Sequence, residues 1–403
     1  MKTAVRLRIC LTLTMILAMA CAHCSGQAAE ASEKLRQTAL ALEHQGSNSE
    51  AEAAWKAFIE THPSSPEPYA HLGLLEARQE HYKEAVPLYR KALALGPKNP
   101  GVQLNLGLAL FKGGELKQAI QVFTLLLKSQ PSASPQAQQL TTLMGMAHYG
   151  LGEYAEAAPY LKQAAVGDAR NLPLRLALAH SCLWSKQYQC VLDTYHEILA
   201  LNADSAEADM LAGETLDEIH DSDGAIRQFR AALKADPAMH DVHFGLGYLL
   251  WTQRQYQEAA SEFQAELAND PNHVQALIYL ADANLQMNHP EAAPPLLEKA
   301  IGIAPGFELA HLDLGIFYAG AGRPEDAIRE LNVAAKLAPK EVNVHWRLAR
   351  VYQSMGKKDE AKAEFDKASA LNQETDAPLL NKLDSVHTKP AQTEQTTAAP
   401  PDH

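Results

Sequence analysis

The sequence predicts an all-α chain built as a linear array of antiparallel helix hairpins. Three observations carry this expectation. Prolines recur at a fixed spacing: Pro63, Pro97 and Pro131 are 34 residues apart, and so are Pro237, Pro271, Pro305 and Pro339. A fixed period of that size marks a repeat array. Each proline also closes nearly the same phrase, as in "LALGPKN" ending at Asn99, "LANDPNH" ending at His273 and "AAKLAPK" ending at Lys340. Finally, no stretch shows the apolar–polar alternation, bounded by turn residues, that a strand requires.

The register has one slip. The interval from Pro131 to Pro237 is 106 residues, three periods plus four. The extra residues are expected in "SASPQA", positions 132–137, as a loop after a helix stop. The two prolines absent from the series fall at Ala169 and Ala203. A chain of 403 residues ordinarily suggests two or three globular domains. A solenoid needs no such division, because each unit packs on its neighbours.

The first residues are of a different kind. Lys2, Arg6 and Arg8 precede an apolar run over positions 9–20, followed by small residues. Such a run is too short to span a bilayer and reads as an export signal over 1–28. "LAMAC", ending at Cys21, offers a lipidation site, with Ala18 standing where such a motif usually has Leu. A soluble product cut after Ala20 or Ala28 is the alternative, and the sequence leaves both open. Removing the segment takes the balance from 35 basic against 48 acidic residues to 32 against 48. That acidity offers no affinity for nucleic-acid phosphates or anionic membranes, so a membrane is reached only through a lipid on Cys21. No Asn-x-Ser/Thr sequon occurs, which favours the periplasm or cell envelope of a bacterium.

Aligned on the closing prolines, other positions fall into register. The unit ending near Pro97 has Tyr69, Leu72, Gly73, Tyr82, Ala85, Tyr89 and Ala92. The unit ending near Pro339 has His311, Leu314, Gly315, Tyr318, Gly322, Ala327, Leu331 and Ala334. This resembles the tetratricopeptide repeat family, with its W-x2-L-G-x2-Y, A-x3-F and P pattern over 34 residues. The resemblance covers about 32–373 as ten units: 32–65, 66–99, 100–133, 138–171, 172–205, 206–239, 240–273, 274–307, 308–341 and 342–375. It implies a right-handed superhelical solenoid. Gly or Ala in each first helix is expected to face a small residue early in the second, such as Ala85 or Ala259, allowing a close crossing. Gly or polar residues such as "GEY", ending at Tyr154, mark the hairpin turn. Pro87, Pro159 and Pro295 share a slot near the start of the second helix, where a slight kink is expected. Residues 376–388 read as a capping helix, and 389–403, rich in Pro, Thr and Ala, as a disordered tail.

No stretch is left over for a catalytic domain. A nucleophile elbow, a phosphate loop, His-Glu-x-x-His and paired Cys-x-x-Cys sets are all missing, so the chain reads as a binding protein without cofactor. His240 and His243 are three apart, but no third metal ligand is implied. His243, His311 and His345 share one slot and are expected to pack between hairpins.

By resemblance, the inner surface is lined by the second, fifth, ninth, twelfth and thirteenth positions of each unit. These carry Phe111, Met146, Tyr149, His180 and Trp184, then Phe244, Tyr248, Trp251 and Trp346. Among them lie Glu207, Glu214, Asp217, Glu218, Asp241 and Asp282. Aromatic anchors beside carboxylates suit a protein or peptide partner with apolar and basic side chains. Burial of single aromatics at helix contacts is the alternative. Lys112 and Arg78 occupy inner positions without a convergent set for a terminal carboxylate. Cys182 and Cys190 flank a short turn, either bridged as a disulfide or as two buried thiols.

Overall fold

The computed structural model describes residues 30–131 and 134–387. The export segment 1–28 with Cys21, and the tail 389–403, lie outside the described residues. All regular structure among the described residues is helical. Successive helices pair as α1 (30–45) with α2 (Asn48–Thr61), α3 (Pro66–Arg78) with α4 (Tyr82–Leu95), α5 (Pro100–Lys112) with α6 (Leu116–Lys128), α7 (Pro135–Gly150) with α8 (Tyr154–Gly167), and α9 (Leu172–Trp184) with α10 (Tyr188–Leu201). Then α11 (Ala206–Glu218) pairs with α12 (Ser222–Ala235), α13 (Val242–Thr252) with α14 (Tyr256–Asn269), α15 (Val274–Gln286) with α16 (Ala293–Ile303), α17 (Glu308–Gly320) with α18 (Pro324–Leu337), and α19 (Val342–Ser354) with α20 (Lys358–His387). The chain divides into two compact units, Met1–Ala203 and Asp204–His403. The division falls at one of the two slots that lack the closing proline.

Local chemistry sets each boundary. The closing proline disfavours helical geometry at the residue before it, and a polar residue then caps the next helix. The side chains of Asn99, Ser134, Asn171 and Ser205 accept from the backbone N–H groups of Val102, Ala137, Leu174 and Ala208. Between paired helices one residue adopts left-handed backbone at the same place each time. It is Gly46, Gly114, Gly152, Gly322 and Gly356 in five hairpins, and Glu80, Lys186, His220, Arg254 and Asn288 in the other five. The next N–H then bonds back to a carbonyl five residues earlier, as Glu115 does to Leu110 and Gln255 to Leu250.

Within each unit, every first helix packs on its partner and on the second helix of the preceding pair. Neighbouring first helices also touch, α3 with α5 and α7 with α9 in the first unit, and α13, α15, α17 and α19 in series in the second. Trp55, Tyr89, Phe123 and Phe263 are fully buried at the pair contacts. The first-helix glycine makes room chiefly for these large side chains. A methyl group on Gly73 would lie 2.9 Å from the Tyr89 ring, and one on Gly247 would lie 2.8 Å from Phe263. The small-residue partner expected from the sequence is a second neighbour, with the Ala259 carbonyl at 3.3 Å from the same point.

Two further expectations change. The inserted residues at 132–137 do not all form a loop, because Pro135, Gln136 and Ala137 extend the start of α7 and make it 16 residues long against 13 for α5. Proline is tolerated at the first helical position, so the insertion adds a turn. Residues 376–387 do not form a separate capping helix but continue α20, a single helix of 30 residues. The position equivalent to the closing proline is Gln373, so the usual stop is missing. Pro87 and Pro159 lie inside α4 and α8. The helix holding Pro295 is shortened to 11 residues behind a 3-10 turn, Pro290–Ala292.

Candidate functional site

The first helices carry the predicted groove residues, and some of them gather into an aromatic cluster in each unit. In the first unit, Tyr149 near the end of α7 lies 6.3 Å from the His180 ring of α9 and 5.9 Å from Tyr154. Tyr154 stacks on Trp184 at 6.0 Å, and Trp184 is 65% exposed. Met146 is half-buried on the same helix. Phe111 belongs elsewhere, leaning on the fully buried Phe123 at 6.5 Å as part of the core.

In the second unit, Phe244, Tyr248 and Trp251 of α13 meet Tyr279 of α15 at 5.9, 5.3 and 5.2 Å. The Trp251 indole N–H donates to Asp282 at 2.6 Å, which fixes both groups. Such aromatic clusters add rigidity beyond their buried area. Trp346 of α19 is 40% exposed, under the guanidinium groups of Arg347 and Arg350 at 5.4 and 5.0 Å. Glu214, Asp217 and Glu218 lie on α11, with Glu207 near its start. Burial, then the neighbouring Glu218, raise the Asp217 carboxyl above its ordinary range, and His220 opposes them. None of the twelve predicted groove residues is fully buried.

The histidine slot holds more than packing. His243, His311 and His345 each stand six residues after a closing proline and bridge two hairpins. Their Nδ1 atoms lie 2.7, 2.9 and 2.6 Å from Glu262, Glu330 and Glu364 on the paired second helix. Their Nε2 atoms lie 3.1, 3.2 and 3.2 Å from the carbonyls of Pro237, Pro305 and Pro339. A carbonyl only accepts, so Nε2 is the donor there. His240 does not join His243. It lies with Asp241 and Glu266, the ligand atoms of all three within 4.8 Å of one another. The Glu266 oxygens already accept the backbone N–H groups of Asp241 and Phe244, so that carboxylate serves as the cap of α13. Cys182 and Cys190 are joined in a disulfide with Cα atoms 5.9 Å apart.

A scan of family models matches this repeat throughout most of the chain. Three models described as tetratricopeptide repeat match, one at residues 36–100, 210–274 and 247–308, a second at 76–144 and 285–343, and a third at 342–375. The chain belongs to the tetratricopeptide repeat family. Among curated relatives, the TPR repeat-containing protein YpiA of Bacillus subtilis is 24% identical over 230 residues, 56% of this chain and 53% of that one. The DnaJ homolog subfamily C member 7 homolog of Schizosaccharomyces pombe is 23% identical, over 75% of this chain and 70% of that one. The alignment thus spans about half the length of the first of these relatives. Among solved structures, the C-terminal part of a TPR repeat-containing protein from Cytophaga hutchinsonii superposes with a TM-score of 0.50 at 17% identity. It covers 61% of this chain and 99% of that one. The crystal structure of MamA gives 0.38 at 25% identity, covering 40% and 95%.

Within the tetratricopeptide frame, sequence reasoning misses three side chains at the second unit's wall. Tyr279, Asp313 and Arg347 occupy the sixth position of three successive repeats, spaced 34 apart. That position lies outside the inner set implied by the resemblance, and in two other repeats it holds the buried apolar residues Ala177 and Leu211. Other repeats place Gln37, His71 and Asn105 there, so the slot has no consistent chemistry and no column signal marks these residues. Asp313 is 7% exposed, and burial, with Asp282 adding to it, pushes its carboxyl up to about 7 against the pull of Arg347.

Proposed function

We propose that this chain is an exported, non-catalytic scaffold whose ten helix pairs are all tetratricopeptide repeats and whose first-helix surface holds a segment of a partner protein. One observation carries the reading. Phe244, Tyr248, Trp251 and Asp282 form an aromatic–acidic patch on adjacent first helices, half open to solvent, while the core positions of the same helices are filled by Leu246, Leu250 and Leu280. Aromatic anchors of this kind dominate protein interfaces. The neighbouring carboxylates favour a partner segment carrying basic as well as apolar side chains.

The segment 1–28 supports export to the periplasm or cell envelope. A lipid on Cys21, placing the scaffold beside secretion or polysaccharide-export machinery, is the second reading, favoured by "LAMAC" alone. A photo-crosslinking residue placed at Tyr248 tests the groove in the native cell. It is expected to capture a discrete partner that the same residue at Val166, 83% exposed on a second helix, does not capture. Equal capture from both positions, or from neither, refutes the groove. Fractionation decides the anchor: Cys21→Ser is expected to move the protein from washed membranes to the soluble envelope fraction, and identical distribution removes the lipid.

A further inference from the structure

We infer that the cavity between α15, α17 and α19 is a receptor for one basic side chain, Lys or Arg, on the partner segment. The inference deepens the groove reading and rests on it. The cavity has a volume of about 530 Å³, within the range of roughly 300–1,000 Å³ typical of ligand pockets. Asp282, Asp313 and Arg347 line it with the apolar wall of Leu285, Ile316 and Phe317.

Among the described residues, two of this lining carry groups without a hydrogen-bond partner. Asp313 is more than nine-tenths buried, and among the described residues no hydrogen bond or ion pair holds it. The Arg347 Nε is buried without an acceptor. Folded proteins leave few such groups without a reason: Arg347 Nε has given up its water and gained no partner, and Asp313 meets the cavity without a protein donor. Above pH 7, where Asp313 is ionised, the two carboxylates outweigh the single guanidinium, so the cavity has room for one more positive charge. Asp282 is held in place by Trp251 and by Gln286, whose side chain donates to it at 3.3 Å.

A metal ion is the weaker occupant. The cluster of three metal-competent groups found among the described residues is His240, Asp241 and Glu266, away from this cavity. A Lys or Arg side chain answers the acidic and apolar lining: its cationic head meets Asp313 and Asp282, and its methylene stem lies along Ile316 and Phe317.

The charged groups bearing on Asp313 are Asp282 from α15 and Arg347 from α19, with the Tyr279 phenol of α15 beside them. A bound cation favours the ionised carboxylate, so binding releases a proton and tightens as pH rises through about 7.

The test uses acetyl-Leu-Lys-Leu-amide and its norleucine isostere, titrated calorimetrically against the full chain at pH 6 and pH 8. The lysine peptide is expected to bind at least about tenfold more tightly than the isostere at pH 8, the value of one charge-assisted hydrogen bond. Asp313→Asn resembles the protonated carboxyl and so preserves the fold. It is expected to abolish both the lysine preference and its pH dependence. Val166→Ser, on a second helix outside both clusters, serves as the control. Equal binding of both peptides overturns the receptor while leaving an apolar groove intact. A lysine preference that survives Asp313→Asn overturns it as well. Binding of neither peptide, together with failed crosslinking at Tyr248, overturns the groove reading beneath it.

Discussion

The two units use one repeat geometry and fill it with different chemistry. In six of the described hairpins the closing backbone carbonyl lies against a side chain six or seven residues on. In the first unit that carbonyl is met by whatever donor is at hand. The Tyr69 hydroxyl donates to Pro63 at 3.2 Å and the Gln103 amide to Pro97 at 3.3 Å. Arg175, almost buried, donates to the Asp168 carbonyl at 3.2 Å and to Glu197 at 3.0 Å. In the second unit the same place holds His243, His311 and His345, each tied also to a glutamate 19 residues on. The repeat places the acceptor, and its donor varies; where Leu277 stands six residues after Pro271, Lys299 donates to that carbonyl instead. The units diverge further at their walls. The first presents solvent-exposed aromatics around Trp184, closed nearby by the Cys182–Cys190 disulfide. The second carries a buried carboxylate at Asp313.

The largest separable effect should come from that carboxylate. Asp313 rises from 3.8 to about 7 in the folded chain. The folded second unit therefore keeps a proton that the unfolded chain has released over most of that window. Its stabilising contribution is complete below pH 3.8 and is lost as pH climbs through about 7. The loss is on the order of 4 kcal/mol. Hydrogen exchange read by mass spectrometry at pH 4.5 and 7.5, corrected for intrinsic rates, should show protection of α15, α17 and α19 falling with pH. Asp313→Asn should flatten the change, with peptides from α3 to α8 as the internal reference. A pH response equal in both units would assign it to the chain as a whole.

The fold is legible in the sequence because its stops are chemical. The closing prolines disfavour helix at the residue before them, and their spacing sets the register of most second-helix ends. The left-handed turn residue is half legible, since glycine marks it in five hairpins while Glu80, Lys186, His220, Arg254 and Asn288 occupy it without an obvious signature. The histidine slot is visible as a column, but its meaning is not. The Glu partners stand on another helix, and only packing brings the two together. The groove aromatics fall on first helices as expected, with Phe111 turning inward because Phe123 of the paired helix offers it a core contact. Asp313 and Arg347 escape because their slot carries no consistent chemistry, with His71, Asn105 and Leu211 in other repeats, and only packing buries Asp313 there.

Reduction should act on the opposite half. The disulfide closes a loop of 8 residues, so in the chain-entropy account it stabilises by roughly 2–3 kcal/mol. Thiol counting on the denatured, unreduced chain should find no free thiols at Cys182 and Cys190. A reductant should increase exchange in α9 and α10 while α13 to α19 keep their protection. Two free thiols at those positions would remove the bridge and with it this asymmetry between the units.

The smallest effect sharpens the opening contrast, because it asks whether histidine does more than tyrosine in the same slot. His311 is 6% exposed, with Glu330 on one ring nitrogen and the Pro305 carbonyl on the other. His311→Ala removes both bonds and leaves the carbonyl without its donor and Glu330 with Arg329 alone, at a cost of about 1–3 kcal/mol. His311→Tyr places a hydroxyl where Tyr69 carries one in the first unit, so the carbonyl bond is restored and only the Glu330 contact is lost. It should therefore recover roughly 1 kcal/mol, the net value of one neutral hydrogen bond. Adding Glu330→Gln to the tyrosine variant should change stability little, because the amide replaces a carboxylate that no longer faces an imidazole. Chemical denaturation of the three variants measures the differences. If alanine and tyrosine are equally damaging, the closing carbonyl contributes nothing and the glutamate is the whole of the brace. If tyrosine matches the wild type, the histidine–glutamate pair adds no stability, and the two units are braced alike despite their different residues.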